Sequence, residues 1–126
     1  MATIQNLFGH KSSKTADVLG RATGEVFFNA AKDCFEQRFE QGVIVSKSHT
    51  PKSARDLVAS FGRLYEFAWS ADNAWLGKPL KDPCKKNNRQ GFDVFVQHFE
   101  EGVIWCRCDG GEGVNCLSWH DLNVIS

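Results

Sequence analysis

The sequence predicts an α+β fold in which two internally repeated helix-loop-β-hairpin units pack into one small domain. Residues 35–45 read FEQRFEQGVIV and residues 95–105 read FVQHFEEGVIW, so seven of the eleven positions are identical. Each copy follows a Leu-Gly pair, at 19–20 and at 76–77, and a glycine after a leucine is typical of a helix end. Helical and hairpin segments therefore occur in the same order twice, which we interpret as an internal duplication.

We expect all 126 residues to form a single domain, because a chain of this length buries about two-thirds of its unfolded surface. Unit one spans about residues 4–50 and unit two about 54–108, and a C-terminal hairpin covers 109–126. A repeated element of this size cannot bury both of its faces alone. We therefore expect the two units to pack about a shared core.

The helical segments follow from capping residues and from apolar spacing. Residues 51–69 are predicted to form the longest helix, with Thr50 as cap and Pro51 in the first turn. Its apolar face is predicted to consist of Leu57, Phe61, Leu64, Tyr65 and Ala68. Shorter helices are predicted to end at Gly20 and at Gly77.

The hairpins follow from alternation of apolar and polar residues. Phe35 and Phe39 flank Gln37, with charged residues between them, which is the period of a half-buried strand. Turns at 40–42 and 100–102 precede the returning strands, and the glycine-rich segment 109–113 precedes a further strand at 114–119. We interpret the Pro-, Lys- and Asn-rich segment 78–90 as a solvated loop.

Composition indicates a soluble protein and excludes several partners. Fifteen basic residues balance fifteen acidic ones, so we expect no nucleic-acid partner. No apolar run approaches the roughly 20 residues that span a bilayer, so no membrane insertion is expected. No secretory signal is visible, so the protein is cytoplasmic by default, or secreted if the chain is a mature form.

The five cysteines are an odd number, which favours partly buried free thiols over a complete disulfide framework. The Cys106-Arg107-Cys108 spacing to Cys116 is not typical of zinc sites. The spacing of Asp109, Glu112 and Asn115 does not match a calcium loop. We therefore predict neither a metal nor a cofactor.

The segment from Leu76-Gly77-Lys78-Pro79 through the hairpin 91–105 resembles the LGFP repeat family. Its motif is a Leu-Gly-x-Pro, a loop, and a hairpin with Gln, Phe, Gly, Ile and an aromatic residue. The first unit is similar, but it has Ala22 in place of the proline and Val45 in place of the aromatic residue. The resemblance implies a carbohydrate-binding or cell-wall module, whose partner is a glycan or another cell-envelope component.

Exposed aromatic rings and planar polar groups recognise sugars, which gives six candidate ligand-binding residues. They are Trp75, Trp105, Trp119, His98, Arg38 and Gln97. Gln97 and its counterpart Gln37 lie between phenylalanines, so each either bonds to the backbone or lines a cleft. Arg38 and His98 lie beside Glu40 and Glu100, where a polar pair at each hairpin is the structural alternative.

An enzyme is the alternative of another class, although no catalytic motif occurs. A small acid/base enzyme of specialised metabolism, with an aromatic-lined pocket between the units, would use His98, Glu100, Asp93 or His120. A third alternative is a protein-interaction or inhibitor module that presents the 78–90 loop. The sequence leaves the oligomeric state, monomer or homodimer, open.

Overall fold

The computed structural model describes residues 3–87, 91–110 and 113–121, and it confirms the α+β class. The helices are α1 (Ile4–Lys14), α2 (Ala16–Leu19) and α3 (Gly62–Ala68), with 3-10 helices at Ala54–Asp56 and Ala71–Leu76. The strands are β1 (Phe27–Asn29), β2 (Cys34–Phe39), β3 (Gly42–Ser46), β4 (Leu57–Phe61), β5 (Cys84–Asn87), β6 (Asp93–His98), β7 (Gly102–Arg107) and β8 (Asn115–Ser118). They form two antiparallel sheets of four strands each, in the orders β1-β2-β3-β4 and β5-β6-β7-β8. Among the described helices, none is long and apolar enough to cross a membrane.

In both halves of the chain, the same hydrogen bond connects the end of a helix to the turn of the following hairpin. Gly20 has a φ of 75°, and the backbone N–H that follows it donates to Glu40 Oε1 over 2.8 Å. Gly77 has a φ of 78°, and the next N–H donates to Glu100 Oε1 over 2.8 Å. The predicted helix ends at both glycines are confirmed, and this shared contact explains why Gly and Glu recur together. Common descent of the two units stays a prediction.

The prediction of one helix over 51–69 is wrong. Only Gly62–Ala68 is α-helical, and Leu57–Phe61 is instead strand β4, paired with β3 along its whole length. Gly62, with a φ of 64°, turns the chain from this strand into α3. The apolar residues of 57–60 are buried in the sheet. Pairing with a distant strand therefore outweighed the helical spacing, which short apolar runs cannot resolve by themselves.

Each sheet begins with a short edge strand that the sequence patterns did not reveal. The prediction of a solvated loop at 78–90 is wrong for Cys84–Asn87, which pairs with β6, and residues 88–90 lie outside the described part. The corresponding strand β1 leaves Phe27 and Phe28 exposed. The predicted strand at 114–119 is confirmed as β8, although 111–112 and 122–126 lie outside the described part.

Helix α3 lies between the two sheets. Its Leu64 and Ala68 belong to the core of the second sheet, with the 3-10 helix beside them. Tyr65 packs instead on the buried valines of β3 and β4, and the following Trp69 contacts both these valines and the core of the second sheet. Helix α1 covers the other face of the first sheet, mainly through the fully buried Phe8. The first sheet is therefore covered on both faces.

Side chains from the second half of the chain form hydrogen bonds to backbone groups at the free edge of β4. The Ala59 N–H donates to Asp82 Oδ1 over 2.9 Å, and Gln97 Nε2 donates to the Ala59 carbonyl over 2.9 Å. The buried Ser60 hydroxyl donates to Gln97 Oε1 over 2.8 Å. Unpaired edge groups would be costly where water is excluded. These bonds thus join the two sheets and protect an edge strand.

Candidate functional site

The side of the second sheet that faces away from α3, here called the outer face, carries a group of apolar and aromatic side chains. Strand alternation places them there because the neighbouring residues Ile104 and Cys106 point to α3. The group consists of Val96, His98, Val103, Trp105 and Leu117, with Trp119 just after β8. All six keep part of their surface exposed.

The face of the first sheet that corresponds to the outer face is covered by other side chains. Val43 and Val45 of β3 are fully buried under Tyr65 and Trp69. Their counterparts in the second hairpin, Val103 and Trp105, are only partly buried. The outer face is therefore a surface of core-like composition, which is typical of a site that meets a ligand or partner.

His98 and Trp119 form a fixed aromatic pair on the outer face. Their ring centroids are 5.5 Å apart with an angle of 74° between the planes. Trp119 Nε1 donates to the Phe99 carbonyl over 2.8 Å, which holds the indole in place. Burial, together with the charges of Lys81 and Lys86, lowers the pKa of His98 below its ordinary 6.5. This shift favours the neutral imidazole, which carries one donor and one acceptor nitrogen.

The other three predicted ligand-binding residues lie elsewhere. Trp75 is exposed on the 3-10 helix, in the helical layer behind the second sheet. Arg38 lies on the first sheet, where it forms an ion pair with the buried Glu36 and donates to Tyr65 Oη over 3.2 Å. Gln97 has no exposed surface, since its amide bonds to β4 and to the carbonyl that precedes Asp82.

The four predicted acid/base residues are not all brought together. Asp93 and His98 stand at opposite ends of β6, about 17 Å apart at a rise of about 3.4 Å per residue. Asp93 contacts Lys85, with 3.5 Å between Oδ2 and Nζ. Glu100 accepts the hydrogen bond at the helix end, and His120 is exposed beyond β8. Acid/base catalysis requires two or three groups around one reacting atom, and Asp93 lies too far from His98 to act on the same atom.

A small pocket lies where β4 turns into α3, against β6 and β7. Its volume is about 170 Å³, and Phe61 and Phe95 form part of its wall with ring centroids 6.3 Å apart. Its polar groups come from Arg63, Arg107 and two cysteines. Within the described residues, its lining contains neither a histidine nor a carboxylate. This pocket therefore has aromatic walls and, among the described residues, none of the four predicted acid/base residues.

The cysteines are free thiols in different surroundings. Cys34 is fully buried, and burial together with the Glu36 charge raises its pKa to about 11. Burial also raises the pKa of the Cys106 thiol, which lies on the α3 side of the second sheet. Cys84 pairs with Val96 on the opposite side. Over the described ranges, no three His, Cys, Asp or Glu side chains gather as metal ligands.

Two of the grooves that described residues line were not predicted from the sequence, because each is assembled from separate segments. One, of about 540 Å³, lies between α1 and the segment that follows Gly20, with Gln5, Glu25 and Gln37 among its polar groups. The other, of about 380 Å³, is rich in lysine. The sequence matches none of the protein-family models with which it was compared, and no curated protein is significantly similar to it.

Proposed function

We propose that the protein is a binding module that recognises a glycan or another cell-envelope component through the outer face of the second sheet. The observation that carries the proposal is the meeting of His98, Trp105 and Trp119 on one partly exposed face whose counterpart in the first sheet is buried. The resemblance of 76–105 to the LGFP repeat supports the same class of ligand.

The chemistry of the outer face suits a saccharide. Indole rings offer flat apolar surfaces for the C–H faces of sugar rings, and their N–H groups remain polar. A neutral imidazole both donates to and accepts from hydroxyl groups, so His98 fits a ligand without charge. The fixed orientation of Trp119 reduces the entropy lost when a ligand binds. The proposal therefore assigns stacking to the tryptophans and orientation to His98.

The enzyme alternative receives less support from the geometry. Asp93 lies at the far end of β6 from His98, Glu100 is bonded to the helix end, and the described lining of the aromatic-walled pocket contains none of the four predicted acid/base residues. A binding role needs only the surface that is present. Turnover of a small-molecule substrate by the purified chain would contradict this ranking of the two functions.

The test is binding to a glycan array that includes bacterial wall fragments, with Trp105→Ala and Trp75→Ala as a matched pair. Both replacements truncate a surface indole, but only Trp105 lies on the outer face. We expect Trp105→Ala to weaken binding about 30-fold, the effect of losing a central aromatic anchor, and Trp75→Ala to leave it unchanged. Thermal unfolding of both variants verifies that the fold is intact.

Two outcomes would overturn the proposal. If the wild-type chain binds no glycan on the array, the proposal that its ligand is a glycan is contradicted. Equal binding by wild type and Trp105→Ala, with loss in Gln37→Ala instead, would move the site to the groove beside α1.

A further inference from the structure

A lysine-rich groove lies mainly on the first half of the molecule, and its lining includes none of the residues that the glycan-binding proposal uses. Its volume is about 380 Å³, and its walls come from α1, the end of β3, the first 3-10 helix and the segment before β5. The basic groups that line it are His10, Lys11, Lys14, Lys47, Arg55 and Lys81. Four segments that are distant in the sequence thus bring five permanent positive charges to one concave surface.

The positive charge of the groove is not balanced locally. The chain as a whole has a formal net charge of zero, so this concentration is a local property. Asp82 is the acidic residue in the lining, and its carboxylate contacts Lys11 Nζ at 2.6 Å and accepts the Ala59 N–H. In the part of the chain that the structure describes, Lys14, Lys47 and Arg55 form no ion pair.

One more carboxylate lies near the groove without lining it. Asp56 accepts the backbone N–H groups of Lys52 and Ser53, over 2.8 and 3.1 Å. These two bonds, with a smaller effect of the Lys47 charge, lower the pKa of Asp56. Its oxygens are thus directed into their own turn. The groove keeps a net positive lining after both carboxylates are taken into account.

We propose that this groove binds a ligand that carries two or more phosphate groups. The volume exceeds what one phosphate needs, and the cations approach it from several sides. Lysine binds phosphate oxygens as a mobile point charge, and four of the five cations are lysines. The described lining contains no Phe, Tyr or Trp ring on which nucleobases could stack, so an oligonucleotide is the less favoured source of phosphates.

The test is isothermal titration of the full chain with sodium tripolyphosphate, alongside sodium citrate and a short single-stranded oligonucleotide. We expect saturable one-to-one binding of tripolyphosphate and weaker binding of citrate, a polycarboxylate of somewhat lower total charge. Binding should weaken as ionic strength rises from about 0.1 M to about 1 M, because the screening length falls from about 10 Å to about 3 Å.

The variants are Lys47→Glu combined with Arg55→Glu, and Lys86→Glu as control. We expect the double variant to weaken tripolyphosphate binding about 20-fold, since each exposed cation contributes up to about a factor of five. Lys86 is an exposed cation on β5 that does not line the groove, so Lys86→Glu should change the affinity by less than about twofold.

The proposal fails if wild type does not bind tripolyphosphate, if citrate binds equally well, or if Lys86→Glu weakens binding as much as the double variant. Tighter binding of the oligonucleotide than of tripolyphosphate would also overturn the proposal, because it would indicate a nucleic acid as the ligand. Glycan binding by the outer face should be unchanged in the Lys47→Glu, Arg55→Glu variant. The two proposals can therefore fail independently.

Discussion

Replacing Gln97 by leucine removes the amide that joins the second sheet to the edge of the first. The Ala59 carbonyl loses a donor at 2.9 Å, and the buried Ser60 hydroxyl loses an acceptor at 2.8 Å. Leaving a buried polar group without a partner costs about 1–3 kcal/mol. With about 1.5 kcal/mol for each of the two groups, we expect the free energy of unfolding to fall by about 3 kcal/mol.

The matched control is Gln37→Leu, at the same position of the first hairpin. Gln37 Nε2 donates to the Gly24 carbonyl over 3.0 Å at an exposed site, where water replaces the amide. We therefore expect a loss below about 1 kcal/mol. Urea denaturation followed by circular dichroism measures both values, and an unchanged dependence on urea concentration would show that the unfolded states are comparable.

Adding Ser60→Ala to Gln97→Leu provides an internal check. The second change removes the hydroxyl that the first has left without an acceptor, so the double variant should regain about 1 kcal/mol relative to Gln97→Leu alone. Equal losses for Gln97→Leu and Gln37→Leu, or strictly additive effects of Ser60→Ala and Gln97→Leu, would refute the assignment of this stability to the buried bonds.

Three further predictions concern the helix end at Gly77 and His98 on the outer face. Gly77→Ala should lower the free energy of unfolding by about 1–2 kcal/mol, because φ is 78° there and the new Cβ would lie 2.7 Å from Glu100 Oε1. Gly24→Ala is the control in the same denaturation assay. Since there is open space around Gly24, this change should be neutral or slightly stabilising. Lys86→Glu should raise the pKa of His98, followed by NMR titration, because it replaces a nearby positive charge by a negative one. An unchanged His98 pKa in Lys86→Glu would contradict the effect assigned to the Lys86 charge. Since the pKa of His98 is below 6.5 in the folded state, the free energy of unfolding should fall as the pH decreases from 6.5 toward the folded-state pKa.

The hairpins and helix ends could be predicted from the sequence because their determinants are local. Alternation around Gln37 and a glycine after leucine each specify one backbone conformation. Strand β4 could not be predicted, since Leu57–Phe61 fits a helical face and a buried strand equally well until β3 lies beside it. Strands β1 and β5 are short edges with little apolar alternation, so their pairing also depends on distant residues.

The outer face was only partly predictable. Trp105, Trp119 and His98 were separate candidates, and the strand register determines that they share one side of the sheet. Gln97 differs from Gln37 because it contacts β4 of the first sheet. No local sequence pattern indicates such a contact between distant residues. The lysine-rich groove likewise combines residues from α1 with residues more than sixty positions later, such as Lys81.

The position of α3 has a consequence for how the chain folds during synthesis. The valines of the first sheet are covered by Tyr65 and Trp69, which follow every strand of that sheet in the chain. A nascent chain that has emerged only as far as Phe61 therefore has all four strands of the first sheet but exposes one of their apolar faces to the solvent. We expect such an intermediate to be prone to aggregation or to chaperone capture, and stable folding of the first half to begin only once Trp69 has left the ribosome.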